Sequence, residues 1–179
     1  MHRRGIMQPP SIINVGRLPA LVQLAAEAPS GLIVEVGVYK GGSAWHLATV
    51  ARAKGVALHL FDTFTGIPHA EAFDTNHVGE FGDTSAEAVQ AAIPDAHLHV
   101  GLFPDTLPND LTGLGFIHSD CDQYVSVRAV IETLYPRLVP GGVLAFDDMD
   151  TAGGARAIRE FFDGRLHTRG GYWYVVKAD

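Results

Sequence analysis

Apolar positions along this chain change period several times, and each change marks an element. Leu18, Leu21, Val22 and the run Leu24, Ala25, Ala26 share one helical face with Pro19 at its entry, which predicts a helix over 17–28. GLIVEVG (31–37) is then a short buried strand around Glu35, stopping at Gly37. A second helix runs from Ser43 to Lys54 and is ended by Gly55; a second strand over 56–61 leads to Asp62. Thr84-Ser85-Ala86-Glu87 has a capping-box pattern and opens a helix to Ile93. Short strands follow over 97–101 and 114–119. From Ser126, the positions Val127, Val130, Ile131, Leu134 and Leu138 form a helical stripe, broken by Pro136 and Pro140-Gly141-Gly142. A strand over 143–146 ends at Asp147-Asp148, a helix spans Ala155 to Phe162, and 165–168 with 172–177 form a terminal hairpin around Gly170-Gly171.

Strands separated by helices, with nearly continuous apolar runs, predict an α/β fold: a doubly wound, mostly parallel sheet covered on both faces. Ligands of such sheets bind at the carboxyl ends of the strands. The polar residues of this chain sit there: Glu35 and Gly37, Asp62, Asp120, Asp147 and Asp148. The polar stretch 63–83 exceeds the ~12–15 residues of an ordinary loop and is expected to be a lid or partly structured.

Composition narrows the partners. The 179 residues suit one domain, 1–179, with 1–30 as an N-terminal helical segment. Only 18% of residues are charged, and the net charge of −7 argues against a nucleic acid as partner. The single cysteine, Cys121, fits a reducing compartment. MHRRGIMQPPS lacks the apolar core of a signal peptide, and no apolar run approaches a membrane span, so a cytoplasmic protein is expected.

The segment VEVGVYKGGS (34–43) combines a strand, a glycine turn and a helix start. Its glycines admit a ligand to the backbone, and free N–H groups at the helix start attract a carboxylate or phosphate. Asp62 follows Gly37 by 25 residues, near the ~20 of a ribose-binding acid. No second glycine stands where G-x-G-x-x-G requires it, so a pyrophosphate cradle is poorly supported. Glu35 suits a ligand with a cationic portion, which favours S-adenosylmethionine over NAD.

Asp120 closes one strand and Asp147-Asp148 the next, with one helix between. Adjacent parallel strands lie about 4.8 Å apart, so these carboxylates are expected to converge on one hard cation: Mg²⁺, or Mn²⁺ or Ca²⁺. The competing reading has Asp147 and Asp148 capping the next helix.

VEVGVYKGGS, LFDTFTGIP, GDTS, GLFPDTLP, HSDCDQY and LYPRLVPGGVLAFDD together resemble the TylF/macrocin O-methyltransferase family over residues 31–162. These are class I, S-adenosylmethionine- and Mg²⁺-dependent sugar O-methyltransferases of antibiotic biosynthesis. The resemblance implies the class I sheet with an antiparallel last strand. It also implies metal ligands at Asp120, Asp147 and Asp148, with Asp120 near the acceptor hydroxyl. Glu35, Gly37, Gly41, Ser43 and Asp62 would belong to the cofactor site, with Asp83, Gly101 and Leu102 near it. Cys121 stands where the family commonly has glycine. The family's N-terminal extension, which covers the acceptor and forms dimers, is reduced here to residues 1–30, leaving a homo-oligomer open.

The expected activity is methyl transfer to a hydroxyl of a small molecule, a sugar or glycoside. A metal-bound hydroxyl loses its proton more readily, to Asp120 or to a loop histidine, His69 or His77. His118 shares strand parity with Asp120, either facing the site or serving as a hydrogen-bonded core residue. Cys121 is expected to be a packing residue. Two alternatives are an NAD-dependent Rossmann oxidoreductase and a non-catalytic cofactor-binding module.

Overall fold

The computed structural model describes residues 8–11, 13 and 16–178. Seven strands, β1 (Leu32–Val36), β2 (Leu58–Asp62), β3 (His97–Val100), β4 (Leu114–Ser119), β5 (Leu138–Phe146), β6 (His167–Arg169) and β7 (Tyr172–Val176), form one sheet in the order β3-β2-β1-β4-β5-β7-β6. The first five are parallel, and β7 runs antiparallel to both β5 and β6. This is the class I methyltransferase sheet, with the antiparallel end that the resemblance implied. Among the described residues no helix is long and apolar enough to cross a membrane.

Alternation along β1 divides the interior in two. Ile33 joins a core with α1 (Leu18–Glu27), α2 (Gly42–Lys54) and α3 (Ala86–Ala92). Val34 and Val36 point the other way, into a core with α4 (Tyr124–Leu134) and α5 (Ala152–Phe162). Neighbouring strands β1 and β4 therefore feed helices on opposite faces, α2 and α4. Such a switch point opens a crevice beyond the strand ends.

Several boundaries moved. Helix α4 begins at Tyr124, because Asp74 accepts a hydrogen bond from its first amide (3.0 Å). Strand β5 begins at Leu138 and passes through Pro140-Gly141-Gly142: Leu138 pairs with Leu114, and Gly141 and Gly142 exchange hydrogen bonds with Lys177. The capping box over Thr84–Glu87 is displaced by one residue, since Ser85 is the N-cap and accepts from Ala88 N. Thr151 caps α5 through Gly154 N, so neither Asp147 nor Asp148 is its N-cap.

Candidate active site

A cavity of about 880 Å³, counting the open solvent at its mouth, opens at the switch point. Gly37, Ser43, Asp62, Gly101 and Leu102 line one side, and Asp120 and Asp122 line the other.

The first side is built by backbone. Gly37 has a φ of +88°, and a Cβ there would lie 1.7 Å from the Asp120 carbonyl oxygen, so β1 and β4 touch main chain to main chain. Only glycine permits that approach. Asp62 Oδ2 accepts from the amides of Val38 (2.7 Å) and Tyr39 (2.8 Å), and its Oδ1 accepts from Phe64 N (2.7 Å). The carboxylate thus ties the glycine turn to the end of β2. Phe103, in the loop after β3, stacks edge-on against Phe61.

Three residues expected at the cofactor lie off the cavity. Gly41 is the left-handed N-cap of α2 and faces Val89 and Ile93. Asp83 is exposed and accepts from Tyr39 Oη (2.6 Å) and Lys40 Nζ (2.5 Å), fastening the end of the 63–83 loop to the entry of α2. Glu35 is fully buried, with Oε1 2.7 Å from His118 Nδ1; His118 Nε2 in turn lies 3.1 Å from the Tyr172 hydroxyl. Strand parity turns Glu35 towards His118 and away from the cavity. His118 is therefore a core histidine with both ring nitrogens engaged.

The second side is acidic. Main-chain bonds from Asp120 N to Val36 O (2.9 Å) and from Asp147 N to Ser119 O (3.0 Å) extend the sheet and set these aspartates side by side. Asp148 is buried, and its Oδ2 accepts from Cys121 N (3.2 Å). Burial first, then the carboxylates of Asp147, Asp148, Asp122 and Glu35, pushes Asp120 well above the usual range. Burial and its neighbours Asp122 and Asp147 do the same to Asp148. Even so, among the described residues no three His, Cys, Asp or Glu side chains stand close enough to hold one ion. The expected convergence of Asp120, Asp147 and Asp148 is thus a shared electrostatic field rather than a ready coordination shell. Arg17 Nη2 lies 2.9 Å from Asp147 Oδ1.

Asp122 is the site residue that sequence reasoning passed over. It has a φ of +61°, lines the cavity, and is pushed up to about 6 by burial and by Asp147. The signal was present as the second acid of D-x-D in SDCDQY. His69 and His77 are exposed and off the cavity. Burial pushes the Cys121 thiol up further, as befits a packing residue.

The 63–83 loop closes the cavity roof with Gly66, Ile67, Pro68 and Phe81. It is strapped down over two helix starts. Asp74 and Thr75 accept from Tyr124 N and Ala152 N, and Asn76 O accepts from Gln123 Nε2. Gly153 makes room, since a Cβ there would stand 1.7 Å from Asp74 Oδ1.

The family described as "Methyltransferase domain" matches residues 34–149, which hold the glycine turn, Asp62 and the aspartates after β4 and β5. The chain belongs to that family. This methyltransferase domain is 32% identical over 143 residues to 8-demethyl-8-(2,3-dimethoxy-α-L-rhamnosyl)-tetracenomycin-C 4′-O-methyltransferase of Streptomyces olivaceus, covering 69% of this chain and 54% of that one. It thus spans about half the length of that curated relative. Among solved structures, the domain superposes on the O-methyltransferase NovP with a TM-score of 0.82 at 24% identity, covering 94% of this chain and 82% of that one. It also superposes on the apo form of CalS11, a TDP-rhamnose 3′-O-methyltransferase of calicheamicin biosynthesis (TM-score 0.66, 25% identity, coverage 90% and 78%). These likenesses support the methyltransferase reading of the sequence at the level of family, and the class I sheet at the level of fold.

Proposed function

We propose that this domain is a macrocin-type O-methyltransferase that moves a methyl group from S-adenosylmethionine to a hydroxyl of a sugar or glycoside, with a divalent cation such as Mg²⁺ assisting. The observation that carries the reading is the main-chain contact of Gly37 with Asp120, which brings a nucleoside-type pocket and an acidic acceptor pocket into one cavity. The relatives support the acceptor class, since the one from S. olivaceus is named for a rhamnosylated polyketide.

When bound, S-adenosylmethionine supplies an electrophilic methyl group, and the cation lowers the pKa of the acceptor hydroxyl. Gly37 and the first turn of α2, with Ser43, receive the amino-acid end of the donor. Asp62 holds that turn and has one lone-pair site left for a ribose hydroxyl. Gly101 and Leu102 border the nucleoside. On the acidic side the donor set suits a hard ion: all oxygen, excess negative charge, and an Asp147 Oδ1 that is buried without a hydrogen bond despite its ion pair. Asp120, Asp147 and Asp148 would hold it only after their carboxylates move closer together, since as placed they form no coordination group. Asp122 is the residue we place as proton acceptor, at its carboxylate, with Asp120 committed to the ion. The 63–83 loop excludes water and shapes the acceptor pocket.

The test is methyl transfer, read by mass spectrometry, from S-adenosylmethionine to a panel of nucleotide-activated rhamnoses and rhamnosylated polyketides, with and without chelator. A product of +14 Da (one methylene) that chelator suppresses is expected. Product formation indifferent to chelator removes the cation from the mechanism, and absence of product with every acceptor, despite cofactor binding, leaves a non-catalytic binding module.

A further inference from the structure

The roof over the cavity is one stiff piece. Ile67 N donates to Glu80 O (2.9 Å) and Gly79 N to Ile67 O (2.9 Å), so the two arms of the 63–83 loop are sewn into a ribbon. Gly66 lets the arms close, since a Cβ there would lie 2.6 Å from the carbonyl oxygens of Gly79 and Glu80. Asp83 ties the base of the ribbon to Tyr39 and Lys40. The tip is tied elsewhere, by the run from Phe73 to Asn76. Phe73 stands edge-on to the Tyr124 ring (5.6 Å between centres), with the Arg156 guanidinium 4.7 Å from its own centre. Asp74 Oδ1 accepts from Tyr124 N (3.0 Å), Thr75 Oγ1 from Ala152 N (2.9 Å), and Asn76 O from Gln123 Nε2 (3.2 Å).

Helix α4 has no cap from its own N-cap residue, Gln123. A helix start without a cap leaves amide donors unpartnered. Asp74 supplies the cap from 50 residues away and sets a negative charge on the positive end of the helix. Its other oxygen, Oδ2, accepts from Glu71 N (2.7 Å), which keeps the carboxylate aimed. Gly153, in the first turn of α5, leaves the space that Asp74 Oδ1 fills. Both helix starts follow directly on the aspartate turns 120–122 and 147–150. Roof and acidic side therefore meet at one carboxylate.

We propose that Asp74 is the latch of a hinged roof: a positioning residue, itself off the cavity, that caps α4 only while the roof is down and sets how fast the cavity exchanges its contents. The inference rests on the donor reading given above for its ligand. The ribbon lifts as a unit because the bonds between its arms are internal, whereas the tip contacts cross to α4 and α5. When the tip lifts, α4 loses its cap and the turn carrying Asp122 loses its anchor, so the pocket opens and the acidic side loosens together.

The latch is read in two ways on the full chain: release of S-adenosylhomocysteine, by surface plasmon resonance, and chymotryptic cleavage after Phe73 in the ligand-free protein, by mass spectrometry. Asp74→Ala is expected to raise both rates roughly tenfold, the scale of a lost charged cap. Thr75→Val, which gives up only the contact to Ala152, raises them less. Asp74→Asn, which keeps one acceptor oxygen, falls between the natural chain and Asp74→Ala, and decides the matter should Asp74→Ala not fold. Ser85→Ala removes the N-cap of α3, a comparable loss away from the cavity, and is expected to match the natural chain in both rates. Natural rates in the folded Asp74 variants overturn the latch while leaving the donor reading intact. Release accelerated equally by Ser85→Ala also overturns it, since the effect is then general loosening. Absence of S-adenosylhomocysteine binding by every protein removes the donor reading and, with it, the latch.

Discussion

The two sides of the cavity are both built on aspartates at strand ends, yet they are finished differently. On the donor side, Asp62 has three backbone amides within 2.8 Å, so its charge is spent on main chain that the fold has already placed. On the other side, burial and neighbouring carboxylates raise the proton affinity of Asp120, Asp122 and Asp148, while Arg17 pairs with Asp147 and Asp150. The first side is complete as folded. On the second, burial and crowding favour the protonated form of Asp120 and Asp148. A buried carboxylate at a strand end is thus informative only together with the list of groups that answer it.

Removing a group from each side sharpens that contrast. Asp122→Asn is expected to lower turnover about 10²- to 10⁴-fold, the usual span for a lost general base, with S-adenosylhomocysteine affinity unchanged by calorimetry. An equal loss of cofactor affinity would merge the two sides into one. Asp62→Ala leaves three amides without their acceptor and is expected to weaken S-adenosylhomocysteine by roughly 10- to 100-fold, alongside a lower melting temperature. Cofactor binding that survives this change intact would mean that the turn is held by other means.

The smallest effect concerns the sheet edge. His59 is stacked with His97 and His99, its Nδ1 3.0 Å from His99 Nε2, and burial with those neighbours pushes it down to about 4 from 6.5. A histidine depressed in the folded state lends stability above pH 6.5 that disappears as pH falls towards 4. After allowance for solvent screening this amounts to on the order of 1 kcal/mol. Urea unfolding at pH 7 and pH 4.5 is expected to show that loss in the natural chain and a smaller one in His59→Gln. Identical losses would place the sensitivity on groups other than His59.

Much of this was legible before any coordinates, because strand ends are marked in sequence by the change from apolar run to aspartate or glycine. Asp62, Asp120 and Gly37 were found that way and do line one cavity. Glu35 was misplaced because a strand's period of two puts it on the face of Ile33 and His118, whatever its distance from the glycine turn. Gly41 and Asp83 belong to the same stretch of chain as true cavity residues but serve α2 and the loop. Asp122 was overlooked since nothing in its neighbouring sequence announces the left-handed backbone that it adopts beside the cavity. Arg17 was invisible for another reason: nothing local links residue 17 to residue 147, and only the position of α1 beside β5 and β7 joins them.

The glycine-to-carbonyl contact at residue 37 has a further consequence for engineering. The two sides of the cavity are held together there by main chain, whereas the roof is a loop tied by a handful of side chains. Swapping residues 63–83 for those of a relative therefore alters the roof while leaving that main-chain contact in place.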